Sequence, residues 1–150
     1  MTRGKADSKV TFVLDPDAWH GSSTESLWAT EIGPGQYRLE NSPFYAVGVS
    51  FDDIVLARPQ EGRLQFVEPI KRGGHSTYRI ITSSDASERF ESFWKALESC
   101  GCTYEEGTGG LLAVDVPPES NIHEVYAALE AGEQQGVWSF EEGHCGHAVG

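Results

Sequence analysis

Residues 85–101 read DASERFESFWKALESCG, and their period decides the fold. Phe90, Phe93, Trp94, Leu97 and Cys100 fall at offsets 0, 3, 4, 7 and 10, which places them on one stripe of an α-helix. Asp85 with Glu88 three residues later predicts an N-cap, and Gly101 sits where a left-handed C-terminal cap belongs. Working outward, Thr77–Thr82 before this helix reads as a strand. After it, Cys102–Glu106 and Leu111–Val116 read as a hairpin around Gly107-Thr108-Gly109-Gly110. Pro117-Pro118 stops the second strand, Ser120 or Asn121 caps a second helix, and Ile122, Val125, Tyr126 and Leu129 form its apolar face. Gly132 weakens the last turns of that helix, Gly136 closes it, and Val137–Glu141 returns as a strand. The order is therefore β-α-β-β-α-β, the ferredoxin-like arrangement, over residues 77–142.

Upstream the period is two rather than 3.6. Lys9–Leu14, Ser26–Thr30, Gln36–Glu40, Ile54–Ala57 and Arg63–Val67 are short, closely spaced strand candidates with Gly and Pro between them. They predict a small curled β-sheet or partial barrel over residues 8–76, packed on the ferredoxin-like half in an α+β protein. Residues 1–7 read as a flexible tail and 143–150 as a C-terminal tail. Trp94 is assigned to the core at helical spacing, Trp28 and Trp138 to apolar strands, and only Trp19, beside His20 in the loop Asp15–Thr24, to an exposed position.

The 150 residues carry 11 basic and 23 acidic side chains, a net charge of −12. The imbalance is local. Residues 1–82 hold 9 basic and 10 acidic groups, whereas residues 83–150 hold 2 and 13, so the second half has a net charge of −11. Such a surface repels nucleic acid and anionic lipid and attracts a basic protein partner. No apolar run reaches membrane-spanning length and no secretory leader opens the sequence, so the expected location is cytoplasmic. Three cysteines, Cys100, Cys102 and Cys145, give no even disulfide framework and are expected to be reduced.

Three stretches together resemble a known family: Glu25–Ala29 (ESLWA), Asn41–Val55 (NSPFYAVGVSFDDIV) and Gly74–Arg79 (GHSTYR). They are similar to the bacterial domain of unknown function numbered four-two-six-five, in register over residues 8–140. Asp52 stands where that family is expected to have glycine. The resemblance implies that the two halves travel together and pack as one unit, and it brings no established activity.

No phosphate-binding loop, nucleophile elbow or zinc-protease motif is present, and no cofactor is expected. Within His75-Ser76-Thr77-Tyr78-Arg79, strand alternation puts His75, Thr77 and Arg79 on one face and Ser76, Tyr78 and Ile80 on the other. One reading surrounds a small anion with His75, Arg79 and Tyr78, in a regulatory or enzymatic domain. A structural hydrogen-bond knot behind Gly73-Gly74 is the other. His144, Cys145 and His147 are metal-type residues, with Cys100 and Cys102 as a conceivable second half. However, the spacing is not that of a zinc site, and the strands involved are opposite sheet edges, roughly 14 Å apart at about 4.8 Å per strand. No metal site is expected. Cys100 lies near a helix C-terminus and the other two thiols lie in acidic sequence, which disfavours thiolate chemistry. The favoured reading is a non-catalytic, acidic interaction protein, of the kind represented by toxin-inhibiting immunity proteins. Glu124, Glu130 and Glu133 on the second helix, with Trp19, are its expected partner-binding residues.

Overall fold

The computed structural model describes residues 6–149; of the tail expected at 1–7, residues 1–5 lie outside the described residues. Strands β1 (Ser8–Val13), β2 (Thr24–Gly33), β3 (Gln36–Leu39), β4 (Ile54–Gln60) and β5 (Arg63–Lys71) close into a five-stranded barrel. Consecutive strands pair antiparallel, and the barrel is shut by a short parallel contact of β1 with β5 at Val10↔Leu64 and Thr11↔Gln65. Alternation chooses the interior: Val10 and Phe12, Leu27 and Ala29, Tyr37 and Leu39, and Val55 and Ala57 point inward. Ala46 and Val49, from the connection between β3 and β4, complete this core. Trp28 is a correction to the sequence reading. Flanked by the buried Leu27 and Ala29, it faces outward, is 45% exposed, and carries the Lys9 ammonium 4.6 Å above its ring.

The connection from β3 to β4 contains Asp52 at φ +74°, a left-handed conformation that favours glycine. This is the physical reason a glycine suits that position. The Asp52 turn and Gly73 approach so closely that a Cβ on Gly73 would lie 2.9 Å from the Asp52 Cβ and carbonyl oxygen.

The second half is β6 (Ser76–Thr82), a 3₁₀ turn (Ser84–Ala86), α1 (Ser87–Ser99), β7 (Thr103–Glu106), β8 (Leu111–Val116), α2 (Ile122–Gln134) and β9 (Trp138–His144). The strand order is β7-β8-β6-β9 with every neighbouring pair antiparallel, so β6 is central. Helices α1 and α2 touch each other and cover one face. Between helices and sheet lie Trp94 and Leu97, Ile122, Val125 and Leu129, set against Tyr78, Ile80, Val114, Val116, Val137 and Trp138.

Local chemistry accounts for the helix ends. Asp85 belongs to the 3₁₀ turn, and α1 starts at Ser87 after Ala86 with no side-chain cap, which corrects the expected Asp85 cap. At the other end Gly101, at φ +95°, allows Gly101 N–H to reach Glu98 C=O (2.9 Å) and Cys102 N–H to reach Leu97 C=O (3.1 Å). That pair of bonds is a Schellman closure. Asn121 caps α2, its Oδ1 accepting from His123 N–H and Glu124 N–H, while the Ser120 hydroxyl donates to Cys100 C=O.

Three further expectations need correcting. Tyr126 is 45% exposed rather than core, because it lies at the margin of α2 beside Phe140. Gly132 is a packing requirement more than a weak point: the Trp138 indole lies against it and donates Nε1–H to Leu129 C=O at 2.9 Å. The segment after residue 143 is not a free tail either. β9 runs to His144, and Ser76 Oγ then accepts Gly146 N–H (2.8 Å) and bonds His147 Nδ1 (2.6 Å), while His147 Nε2 bonds Pro117 C=O (2.8 Å).

Candidate functional site

The face of β6 turned away from the helices packs on the barrel half, and the sequence-nominated Arg79 lies in that seam. It is 1% exposed, donating Nε–H to Phe44 C=O at 2.8 Å and Nη2–H to Ala46 C=O. Glu25 holds the same segment from its other side, accepting the N–H groups of Phe44 (2.6 Å), Tyr45 (3.0 Å) and Ala46 (2.9 Å). Gly143 of β9 is what lets the guanidinium in, since a Cβ there would stand 1.6 Å from Nη1. Burial lowers the Arg79 pKa, and Glu141 and Glu25 oppose that shift.

The anion site expected at His75, Tyr78 and Arg79 is not assembled. Thr77 lies between His75 and Arg79 on this face, and its Oγ1 bonds the buried Ser50 Oγ at 2.7 Å. His75 Nδ1 instead pairs with Asp115 at 2.8 Å, with the Phe51 ring 5.2 Å away. That hydrogen bond raises the His75 pKa against a smaller opposing effect of burial. Tyr78 is on the other face of β6, bonded to Glu142 at 3.3 Å, and burial followed by the Glu142 charge raises its pKa. Further along the seam Asp53 accepts from Ser50 N–H, Gly73 N–H and Arg72. The knot reading of this region fits these bonds.

The Cys100 and Cys102 thiols are held in the protonated state. Burial pushes Cys102 up to about 12, and burial with the Glu124 charge raises Cys100. His144, Cys145 and His147 do not converge: His147 is engaged by Ser76 and Pro117, and among the described residues no cluster of three metal-type side chains exists.

The expected partner-binding residues are dispersed. Glu124, Glu130 and Glu133 are all exposed, but Glu124 is on the Cys100 side of α2, Glu130 borders Tyr126 and Glu142, and Glu133 accepts Phe140 N–H at 3.2 Å. They form no common face. Trp19 is 55% exposed yet folds back over the seam, donating Nε1–H to Glu141 at 3.2 Å and meeting the rings of His20 and Tyr45 edge-on.

A surface that single-element reasoning missed lies between α1 and β7. Phe90, Trp94 and Tyr104 form an aromatic floor, with Tyr104 edge-on to Trp94 at 4.8 Å and to Phe90 at 5.9 Å. Hollows of about 380 Å³ and about 340 Å³ flank Tyr104, and Glu91 borders both, so they read as one groove. Glu106 rims the first hollow and Glu98 the second. Burial raises the Tyr104 pKa, and the charges of Glu106, Glu91 and Glu98 raise it further, an electrostatic sign that three carboxylates from two elements converge on this ring. Its trace in the sequence is a pair of acidic residues at 91 and 98, seven apart and so on one helix face, followed by a strand reading Tyr-Glu-Glu.

Comparison with known proteins agrees with the fold. The crystal structure of a hypothetical protein from Neisseria gonorrhoeae is similar, with a TM-score of 0.78 and 22% sequence identity, covering 97% of this chain and 100% of that one. No curated protein matches the sequence significantly. No helix among the described residues is long and apolar enough to cross a membrane. The family model for a domain of unknown function, DUF4265, matches residues 25–140, and the chain belongs to that family.

Proposed function

We propose that the protein is a cytoplasmic, non-catalytic interaction protein whose acidic half binds a basic protein partner, in the manner of an immunity-type inhibitor seated on a toxin. The observation that carries this reading is the groove between α1 and β7, where an aromatic floor of Phe90, Trp94 and Tyr104 is rimmed by Glu91, Glu98 and Glu106. Aromatic anchors within a charged rim are the usual anatomy of a protein-binding patch. The excess of acidic groups after residue 82 supports the sign of the partner. Internal bonding of His75, Tyr78 and Arg79 favours a scaffold role for them over a chemical one.

Capture of a partner from the source cell, repeated with two charge-reversed proteins, tests the reading. Glu91→Lys, Glu98→Lys and Glu106→Lys together should abolish capture, whereas Glu124→Lys with Glu130→Lys should leave it. The on-rate for the wild type should fall steeply with salt, as steered association does once charges are screened beyond about 8 Å. A partner retained equally by the first variant sinks the proposal.

A further inference from the structure

The groove has an open backbone edge along one side. In the β7–β8 ladder, Gly107 N–H bonds Leu111 C=O at 2.8 Å, and antiparallel bonding alternates from there. Glu105/Ala113 and Thr103/Asp115 are therefore the bonded pairs, and Tyr104 and Glu106 turn their N–H and C=O groups away from β8. β7 is a sheet edge. The opposite edge, β9, is guarded: Glu133 takes Phe140 N–H, and Gly143 C=O takes Gly48 N–H at 3.0 Å. No hydrogen bond from another element reaches the outer groups of Tyr104 and Glu106 among the described residues. One edge is blocked and the other is left available, beside an aromatic groove with a carboxylate rim.

Resting on the acidic-groove reading, we propose that β7 receives an extended basic segment of the partner as a fifth strand of the sheet. Backbone bonds to Tyr104 and Glu106 would fix its register. Its side chains would alternate, so every second residue projects to the helix side. Lys or Arg at those positions would lie over the Tyr104 ring and among Glu91, Glu98 and Glu106, where a cation gains both from the ring face and from the carboxylates. Only four residues of β7 are present, so few backbone bonds can form and charge must supply much of the affinity.

The probe is a synthetic peptide of about eight residues alternating Lys or Arg with Val or Thr, long enough to overrun a strand of typical length. Two further versions carry N-methyl groups on alternate amides, one in each frame. With the intact protein, one frame should lose at least about tenfold in affinity and the other should bind nearly as well as the parent, because only one frame faces β7. Tyr104 and Glu106 amides should gain exchange protection on saturation. On the protein side, Glu106→Pro removes an outward N–H and no ladder bond, so it should bind about tenfold more weakly than Glu106→Gln, with folding of both checked by circular dichroism. Equal binding by both methylated frames, with binding still lost in the Glu91, Glu98 and Glu106 reversal, would overturn strand addition and keep the groove. Binding that ignores the reversal would overturn both. A peptide that fails to bind the wild type overturns strand addition, and partner capture then decides the wider reading.

Discussion

Glu25 and Arg79 grip one segment from opposite sides. The carboxylate takes the N–H groups of Phe44, Tyr45 and Ala46, and the guanidinium takes the carbonyls of Phe44 and Ala46. One residue belongs to β2 and the other to β6, so this segment is the clasp between the barrel and the four-stranded sheet.

Arg79→Met should therefore destabilise the whole molecule by about 3–5 kcal/mol, because it removes two charge-assisted hydrogen bonds and leaves the Phe44 and Ala46 carbonyls unpaired in the seam. Arg79→Lys should recover little of it, because a single ammonium does not reproduce the planar fork that reaches two carbonyls. Urea unfolding followed by barrel and sheet probes would check both the size and the coincidence of the transitions.

Gly132→Ala sets propensity against packing. In an open helix the change gains about 1 kcal/mol, but here a Cβ would stand 2.2 Å from the Trp138 ring. The expected outcome is a net loss of about 1–3 kcal/mol, as overpacking gives, with an altered near-ultraviolet circular dichroism signal from Trp138.

Two tryptophans should respond oppositely to truncation. Trp94 is 5% exposed and Trp94→Ala should cost about 3–5 kcal/mol. Trp28 faces solvent, and Trp28→Ala should cost less than about 1 kcal/mol, most of it from lost cross-strand contact and from Lys9. Thermal unfolding of the two variants side by side makes the comparison.

His75 and His144 give opposing pH dependences. The Asp115 bond raises the folded pKa of His75, so its contribution is fully present below the unfolded value of about 6.5 and is lost as pH rises through the folded value. Burial, with the Arg72 charge, lowers that of His144, so stability is lost as pH falls below about 6.5 toward its folded value. Asp115→Asn should remove the first effect and leave the second. Unfolding free energies of this variant should then converge on wild type as pH rises from about 5.5 to about 8.5.

What the sequence shows depends on how far apart the interacting residues are. The α1 stripe, its glycine closure and the hairpin at 107–110 are local patterns, and the element order of the second half follows from them. Strand faces are harder, since alternation at Leu27-Trp28-Ala29 says that the middle residue differs from its neighbours but not which face is inside. Arg79 looks like a ligand clamp because its true partners are backbone carbonyls 33 and 35 residues earlier, which carry no side-chain signature. Glycine at 143, inside a strand, was a usable hint of a close approach. The groove was hidden for a related reason: Glu91, Glu98 and Glu106 meet only after α1 has folded back onto β7.

Barrel closure has a consequence for the order in which the chain is made. β1 is synthesised first, but its parallel partner positions, Leu64 and Gln65, emerge more than fifty residues later. The clasp on Phe44–Ala46 waits longer still, for Arg79. A nascent chain stalled before residue 79 thus holds strands that can pair but a linking segment with its carbonyls unanchored. Chains arrested on ribosomes just short of this point should be readily cut by protease near residues 44–46, and chains long enough to expose the completed sheet should resist.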